Sequence, residues 1–316
     1  MGSAPAVTVV VCTADRPAQA ATAVAAILAS SASPDRSFEV IVVDQTDGPD
    51  TATALGHLLS DHRLQYIHAD AVGKGGALVL GLAHARGQII ACTDDDCVVA
   101  SDWLALITAP FADRPQVAVV FGRVDAGPHD PQAGFVPAYQ PQREGERRSL
   151  RGLAPDGMGA CMAVRRSAIL ALGGFDPTIG PGGPFRSGDD RDVAIRALLA
   201  GYSLYETPAA AVTHHGFRTF RDGRVHARRA WYGIGAICAK ALRRHRTEIL
   251  PVIWDLFVLR ALLPAALDAL HLRRPRGGAR SLWFVRGLVR GLRTPLRPDA
   301  LVYDLQSPNR SRTQTP

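Results

Sequence analysis

The chain of 316 residues is 47% hydrophobic and 21% charged, with 30 glycines and 22 prolines. That composition suits one large globular domain or two ordinary ones and excludes a disordered or collagen-like chain. The net charge of +7 averages two opposed regions, because residues 1–215 carry 16 Lys+Arg against 23 Asp+Glu and residues 216–300 carry 18 against 5.

Residues 7–12 form a β-branched run that reads as a buried parallel strand. Pro17 suits the first position of a helix, and the alanine-rich residues 18–30 continue it. Residues 38–43 read as a second strand ending at Asp44. A helix over 51–60, a short strand over 65–68 and a helix over 75–86, with Leu78, Leu82 and Ala85 on one face, come next. Residues 88–93 make another buried strand that runs into Asp94-Asp95-Asp96. Ser101 is placed as the cap of a helix over 103–111, and 117–121 is a strand. This alternation predicts an α/β domain whose mostly parallel sheet is flanked by helices.

From 125 to 156 the pattern dissolves into Pro, Gly, Gln and Arg, as a long surface loop does. A strand over 157–164, an irregular glycine-rich stretch over 173–184, a helix over 190–201 and a last strand over 209–213 complete the first part. After Gly216 the chain reads as helical. Ala227, Trp231, Ile234, Cys238 and Ala241 make one apolar stripe, with Trp231 and Tyr232 read as core residues. Residues 250–272 form a second helical stretch broken by Pro264. Leu282, Val285, Val289 and Leu292 define the stripe of a third helix, with Arg286, Arg290 and Arg293 about 100° away. A spanning helix is not expected, because Asp255, Arg260 and Asp268 interrupt residues 250–272. A secretory signal is not read at the N-terminus. The five cysteines contain no C-x-x-C pair, which points to a reducing, cytoplasmic setting.

The basic third helix has two readings: contact with an anionic membrane at its inner face, or packing on the rest of the chain with solvated arginines. Gly287 and Gly291 each cost such a helix roughly 1 kcal/mol relative to Ala. No recognised nucleic-acid motif accompanies the charge, so nucleic acid is not an expected partner. The division that follows is a catalytic domain over 1–216, a basic helical region over 217–300 and a disordered tail over 301–316.

Chemistry concentrates where strands end. Asp44 closes one strand, Asp94, Asp95 and Asp96 close another, and Asp189 and Asp190 precede a helix. In open α/β sheets ligands bind beyond the carboxyl ends of the strands. Carboxylates gathered there repel one another unless a cation holds them, and Mg²⁺ or Mn²⁺ suits an all-oxygen set that bridges phosphates.

Taken in order, Thr8-Val9-Val10-Val11-Cys12-Thr13 with Arg16-Pro17, Val40-Ile41-Val42-Val43-Asp44, Gly73-Lys74-Gly75-Gly76-Ala77, Thr93-Asp94-Asp95-Asp96, Gly173-Gly174-Phe175-Asp176 and Ser187-Gly188-Asp189-Asp190-Arg191-Asp192 resemble the motif series of family 2 glycosyltransferases. The resemblance covers roughly residues 7–216 and implies the GT-A fold, with transfer of a sugar from a nucleotide-diphosphate donor to an acceptor hydroxyl. It implies that Thr13, Arg16, Asp44, Gly73, Lys74, Asp94 and Asp95 face the nucleotide sugar. It further implies that Asp96 and Asp94, with His214 or His215, hold the divalent metal. Asp190 matches the family's general base, and Asp189 replaces the usual Glu of an E-D-x-D segment. Single displacement by such a base inverts the anomeric configuration.

The processive members' Q-x-x-R-W motif is not matched by Arg228-Arg229-Ala230-Trp231. That departure favours adding one sugar to a sugar, lipid-linked or small-molecule acceptor. Two rivals stay open. A sugar-1-phosphate nucleotidylyltransferase should carry a glycine-rich loop where this chain has Thr13-Ala14-Asp15-Arg16-Pro17. A nucleotide-sugar-binding protein with a dead site need not retain every acid. At residue level Asp190 also fits a capping box with Ser187, and Asp44 fits a plain turn.

Overall fold

The computed structural model describes residues 5–30, 37–70, 73–141, 143–150, 157–271 and 276–305. In chain order they form β1 (Val7–Thr13), α1 (Pro17–Ala29), β2 (Phe38–Asp44), α2 (Asp50–Leu55), β3 (Leu64–His68), α3 (Gly73–His84), β4 (Ile89–Asp94), β5 (Cys97–Val99), α4 (Trp103–Thr108) and β6 (Val117–Ala126). Then come β7 (Gly134–Phe135), β8 (Gly145–Arg147), β9 (Met162–Arg165), α5 (Arg166–Ala171), α6 (Asp189–Leu199), β10 (Ser203–His214) and β11 (Arg218–Thr219). Helices α7 (Phe220–Arg243), α8 (Leu250–Ile253), α9 (Leu263–Leu270) and α10 (Arg276–Arg293) complete the chain, with a π-helical stretch, Trp254–Leu262, joining α8 to α9.

Nine strands make one sheet in the order β3-β2-β1-β4-β9-β6-β10-β5, with β8 beside β10. The pairs β1–β2, β1–β4, β2–β3 and β6–β10 are parallel, whereas β9, β5 and β8 run antiparallel to their neighbours. Period-2 alternation sends Val10 into one core, with Leu78, Phe175 and Ile237, and Val9 and Val11 into the other, with Val24 and Trp103.

Local readings shift where tertiary contacts intervene. The helix expected over 51–60 divides at Gly56 into α2 and a 3₁₀ turn. Ser101 does not cap α4; Asp102 precedes that helix without a side-chain cap, and the Ser101 carbonyl accepts from Ser30 Oγ at 3.1 Å. The expected strand over 157–164 contracts to β9, because Gly159–Cys161 is a 3₁₀ turn. Within the loop over 125–156, β7 pairs with β11, β8 pairs with β10, and Tyr139 bridges to Val124. Residues 142 and 151–156 of that loop lie outside the described residues.

The helical region is tied to the sheet by a buried charge network. Lys240 Nζ on α7 lies 2.5 Å from Asp176 Oδ2 and 2.6 Å from Asp192 Oδ1, and Arg196 Nε is 2.9 Å from Asp192 Oδ2. Burial opposes the Asp176 carboxylate, but the Lys240 ammonium outweighs it and holds the group below the ordinary range. Tyr303 donates its amide to Asp176 Oδ2 at 2.9 Å and its hydroxyl to the Ala236 carbonyl at 2.7 Å. Residues 301–305 do not belong to the expected tail, because Val302 and Tyr303 are buried, and residues 306–316 lie outside the described residues.

Helix α10 meets α7 through glycine. A Cβ at Gly287 would overlap the Tyr232 carbonyl, one at Gly235 the Phe284 carbonyl, and one at Gly291 the Tyr303 hydroxyl. The helix-propensity cost of Gly287 and Gly291 is offset by this backbone-to-backbone approach. Consequently the Leu282, Val285, Val289 and Leu292 stripe does not form the packing face. It is exposed, while Phe284 is buried. Pro264 does not break the second stretch either: the helix runs on through it, and the Arg260 carbonyl four residues before it accepts from Arg280 NH1 at 3.1 Å. Thr247–Leu270 is one continuous helical segment that by length and composition alone would suffice to cross a membrane, with Asp255, Arg260 and Asp268 within it. Two of its charges, Asp255 and Arg260, pair with each other at 3.1 Å.

Candidate active site

Parallel registration aligns the acids. Thr13 pairs with Asp44 and Cys12 with Asp94, so the ends of β1, β2 and β4 share one edge. β1 lies between β2 and β4 there, the position where the strand order reverses and a ligand crevice opens.

Asp95 and Asp96 form the turn between β4 and β5. Antiparallel pairing of β5 with β10 sets His214 opposite Cys97, which brings His214 Nε2 to 3.2 Å from Asp96 Oδ1. His214 Nδ1 lies 2.9 Å from the Pro137 carbonyl oxygen. A carbonyl can only accept, so Nδ1 carries a proton and Nε2 is aimed at the carboxylate. Burial opposes the imidazolium, but the Asp96 hydrogen bond and charge outweigh it and raise His214 above its ordinary value. Burial likewise opposes ionised Asp96, yet His214, Arg16 and Lys74 bring it down to about 2.

Arg16 NH1 bridges the turn, 3.0 Å from Asp95 Oδ1 and 2.7 Å from Asp96 Oδ2. Thr13 Oγ1 donates to Asp95 Oδ2 at 2.8 Å. Both Asp95 oxygens are thus engaged within the protein, and burial raises this carboxyl despite Arg16. Asp44 is engaged too: Oδ1 accepts from the Thr46 amide at 2.9 Å and Thr51 Oγ1 at 3.1 Å, and Oδ2 from the Tyr66 hydroxyl at 2.7 Å. Burial and Asp44 together push Tyr66 up to about 12.

Two glycine loops set Lys74. Gly73 sits at φ +74°, and a Cβ there would come within 2.8 Å of the Gly182 backbone, while Lys74 N–H donates to the Pro181 carbonyl at 2.8 Å. L side chains rarely adopt that φ, so the Gly73-Lys74-Gly75 loop interlocks with residues 180–183. Lys74 Nζ then reaches Asp94 Oδ1 at 2.5 Å and Asp189 Oδ2 at 3.6 Å. Burial works against the ammonium, but Asp189 and Asp94 hold it well above the ordinary lysine value.

Asp189 and Asp190 open α6 behind Gly188, whose φ is 95°, and no side chain caps the helix, so the Ser187 capping box does not form. Asp190 Oδ1 accepts from the Arg191 amide at 2.6 Å and Oδ2 from the Gly159 amide at 3.1 Å. Asp189 Oδ2 is buried without a hydrogen bond. Burial, helped by Asp190 and Asp94, raises Asp189 to about 6 against the pull of Lys74.

The residues fit a divalent cation at Asp96. Donor atoms of Asp96, Cys97 and His214 lie within 4.8 Å of one another. Burial pushes the Cys97 thiol far up, leaving carboxylate and imidazole as a donor set suited to Mn²⁺ or Mg²⁺. Any Cβ at Gly216 would fill the gap, 2.6 Å from Asp96 Oδ2 and 2.7 Å from His214 Nε2. The histidine pair is divided: His215 is exposed and gives Asp96 only a backbone contact, its N–H donating to the Asp96 carbonyl at 2.8 Å. The His215 side chain lines a cavity of about 290 Å³ with Gln19, Thr22, Asp95 and Asp96.

Sequence reasoning missed the Pro137 carbonyl and the Gly159 amide. Backbone groups that orient a distant side chain leave no residue-type signal. It also missed that Lys74 joins Asp94 to Asp189, although the paired glycine runs signalled two close backbones.

A switched parallel sheet with an acidic turn at its carboxyl edge defines the GT-A class of nucleotide-diphospho-sugar transferase folds. The chain belongs to glycosyl transferase family 2, whose profile matches residues 8–173. Over 228 residues it is 29% identical to a pre-mycofactocin glycosyltransferase of Mycobacterium tuberculosis, covering 69% of this chain and 45% of that one. The chain therefore spans less than half the length of this curated relative. An N-acetylglucosaminyl-diphospho-decaprenol L-rhamnosyltransferase of the same species is 34% identical over 102 residues, covering 32% of this chain and 30% of its own. In fold the chain resembles a mannosyltransferase of Pyrobaculum calidifontis solved with GDP-Man and Mn²⁺, at a TM-score of 0.61 and 22% identity, covering 92% of this chain and 88% of that one.

Proposed function

We propose that the chain transfers one sugar from a nucleotide-diphosphate donor to an acceptor hydroxyl, with inversion. The observation that carries this reading is the Lys74 bridge. It joins Asp94, in the acidic turn where a diphosphate and its cation would sit, to Asp189 at the head of α6. Donor-side and acceptor-side carboxylates thus face one compartment. Asp96 and His214 would hold a divalent cation, which when bound supplies Lewis-acid stabilisation of the departing diphosphate. Membership of family 2 and the Mn²⁺ and GDP-Man of the Pyrobaculum neighbour support this assignment. Thr13 and Arg16 keep the turn in place, and Lys74 offers its ammonium to the diphosphate.

Asp190 is the general base in this reading. Its two backbone hydrogen bonds fix the carboxylate, and the neighbouring Asp189 lies 3.6 Å from Lys74 Nζ. The acceptor is a hydroxyl-bearing sugar, lipid-linked or small molecule. The test is calorimetric titration of nucleoside diphosphates with and without Mn²⁺, on the parent and on Asp96→Ala and Gly216→Val. Metal-dependent binding lost in both variants, with melting temperature retained, supports the reading. Metal-independent binding that survives Asp96→Ala overturns the metal assignment.

A further inference from the structure

The two C-terminal helical segments are packed on one side and bare on the other. Of the seventeen exposed large hydrophobic side chains among the described residues, eleven belong to these segments: Leu250, Trp254, Leu259, Leu262, Leu263, Leu267 and Leu270 on the first, and Leu282, Val285, Val289 and Leu292 on α10. Such a concentration marks an interaction surface rather than the scattered apolar residues of any soluble face.

The segments are fixed to each other and to α7. Phe257 stacks on Phe284 with ring centroids 4.9 Å apart, and Arg280 NH1 donates to the Arg260 carbonyl at 3.1 Å. A Cβ at Gly277 would overlap the Ala261 carbonyl. On the first segment Val252, Leu256 and Ala261 are buried beneath the exposed leucines. The π-helical stretch has a structural consequence here. Exposed residues 250, 254, 259, 263 and 267 step by 4, 5, 4 and 4, and the five-residue step falls within Trp254–Leu262. The wider turn keeps the apolar stripe on the outer side while Val252, Leu256 and Ala261 stay inward.

On α10 the exposed stripe has an arginine ridge beside it. Helical spacing of 100° per residue places Arg286, Arg290 and Arg293 along one flank of the Leu282, Val285, Val289 and Leu292 row, between that row and the Gly287–Gly291 face. All three arginines are exposed. The Arg286 guanidinium carbon lies 5.1 Å from the Trp283 ring centroid and that of Arg290 lies 5.7 Å from the Phe185 centroid. An apolar row bordered by guanidinium groups matches the boundary between lipid headgroups and acyl chains.

We infer that this face docks on the surface of an anionic lipid bilayer, lying in the interface rather than crossing it. Crossing would strip Phe257 from Phe284 and Ala261 from Gly277. A second copy of the chain fits less well, because a twofold contact through this face sets one arginine ridge against another. Charge complementarity selects the membrane: α10 carries Arg286, Arg290 and Arg293 beside its apolar row and no acidic residue. The inference concerns the outer face of the helices and stands apart from the transfer reaction.

The test is co-sedimentation of the full chain with vesicles of phosphatidylcholine, alone or with phosphatidylglycerol, at 0.1 M and 0.5 M NaCl. Binding to the anionic vesicles is expected, with about tenfold loss at the higher salt, and with a blue shift of tryptophan emission that Trp254→Phe abolishes. The double variant Val285→Asp/Val289→Asp should lose binding at unchanged melting temperature. Arg286→Gln/Arg293→Gln, which disturbs no buried group, should weaken partitioning about thirtyfold. Equal recovery with neutral and anionic vesicles, or no recovery with either, overturns the proposal. So do unimpaired binding by both double variants, attachment that survives alkaline carbonate, and a concentration-dependent dimer that persists with vesicles present and dissolves in Val285→Asp/Val289→Asp.

Discussion

The catalytic half and the helical half solve opposite problems. Up to His214, side chains of one sign crowd a sheet edge, and Arg16, Lys74 and His214 neutralise them in place. Beyond Phe220 the excess sign is positive, the arginines of α10 face outward, and precision comes from glycine, which lets α10 approach the α7 backbone. The first half is specified by charge pairing and the second by the absence of side chains. The Asp176–Lys240–Asp192 network is where the two meet, and it borrows from both: charges of opposite sign, fully buried, on opposite sides of the boundary.

The contrast breaks most sharply at the base. Asp190→Asn keeps the size of the side chain but removes the proton acceptor, and turnover at saturating donor should fall about 10²–10⁴-fold with donor dissociation constant and melting temperature little changed. Asp189→Asn should be milder. If the two exchange effects, Asp189, with its unbonded buried oxygen and raised affinity for protons, is the base.

Lys240→Met breaks the junction. It leaves Asp176 and Asp192 facing each other without the ammonium, and a stability loss of about 3–5 kcal/mol is expected from denaturant unfolding. The acid dependence has a definite sign. Asp176 is held below the ordinary carboxylate range. Its contribution is complete above the unfolded value of about 4 and is lost as pH falls through the lowered folded value. Lys240→Met should flatten that part of the stability–pH curve.

Gly291→Leu tests the glycine contact. A side chain there meets the Tyr303 hydroxyl and Ala239 Cβ, and overpacking should cost about 1–3 kcal/mol with loss of Tyr303 burial, read by near-ultraviolet circular dichroism. The smallest effect sharpens the contrast: Val285→Asp, on the bare face, should change stability by no more than about 0.5 kcal/mol. A larger loss would mean the stripe is packed after all.

Much of the catalytic half was legible. Apolar runs located β1, β2 and β4, the last two ending in acids, and the order of motifs carried the family. Sequence could not choose between His214 and His215, because strand pairing made that choice through Cys97. Nor could it orient α10. The apolar row at i, i+3, i+7 and i+10 has the periodicity of a buried face, but Gly287 and Gly291 on the opposite side permit a closer approach than leucines do, and the helix turns its leucines out. The capping box at Ser187 failed for a related reason: Gly188 in a left-handed turn starts α6 instead.

Tyr303 gives the fold a schedule. The amide that Asp176 accepts from belongs to a residue 127 positions further along the chain. At roughly 5–20 residues per second, the ribosome supplies it about 6–25 seconds after Asp176 has been added. The sheet is complete once β10 has been added, 38 residues after Asp176, and for the rest of that interval the carboxylate that anchors the helices lacks one of its final partners. The growing polypeptide therefore passes through a stage with the sheet built and the Asp176 junction incomplete, a window in which a chaperone or a protease would meet it.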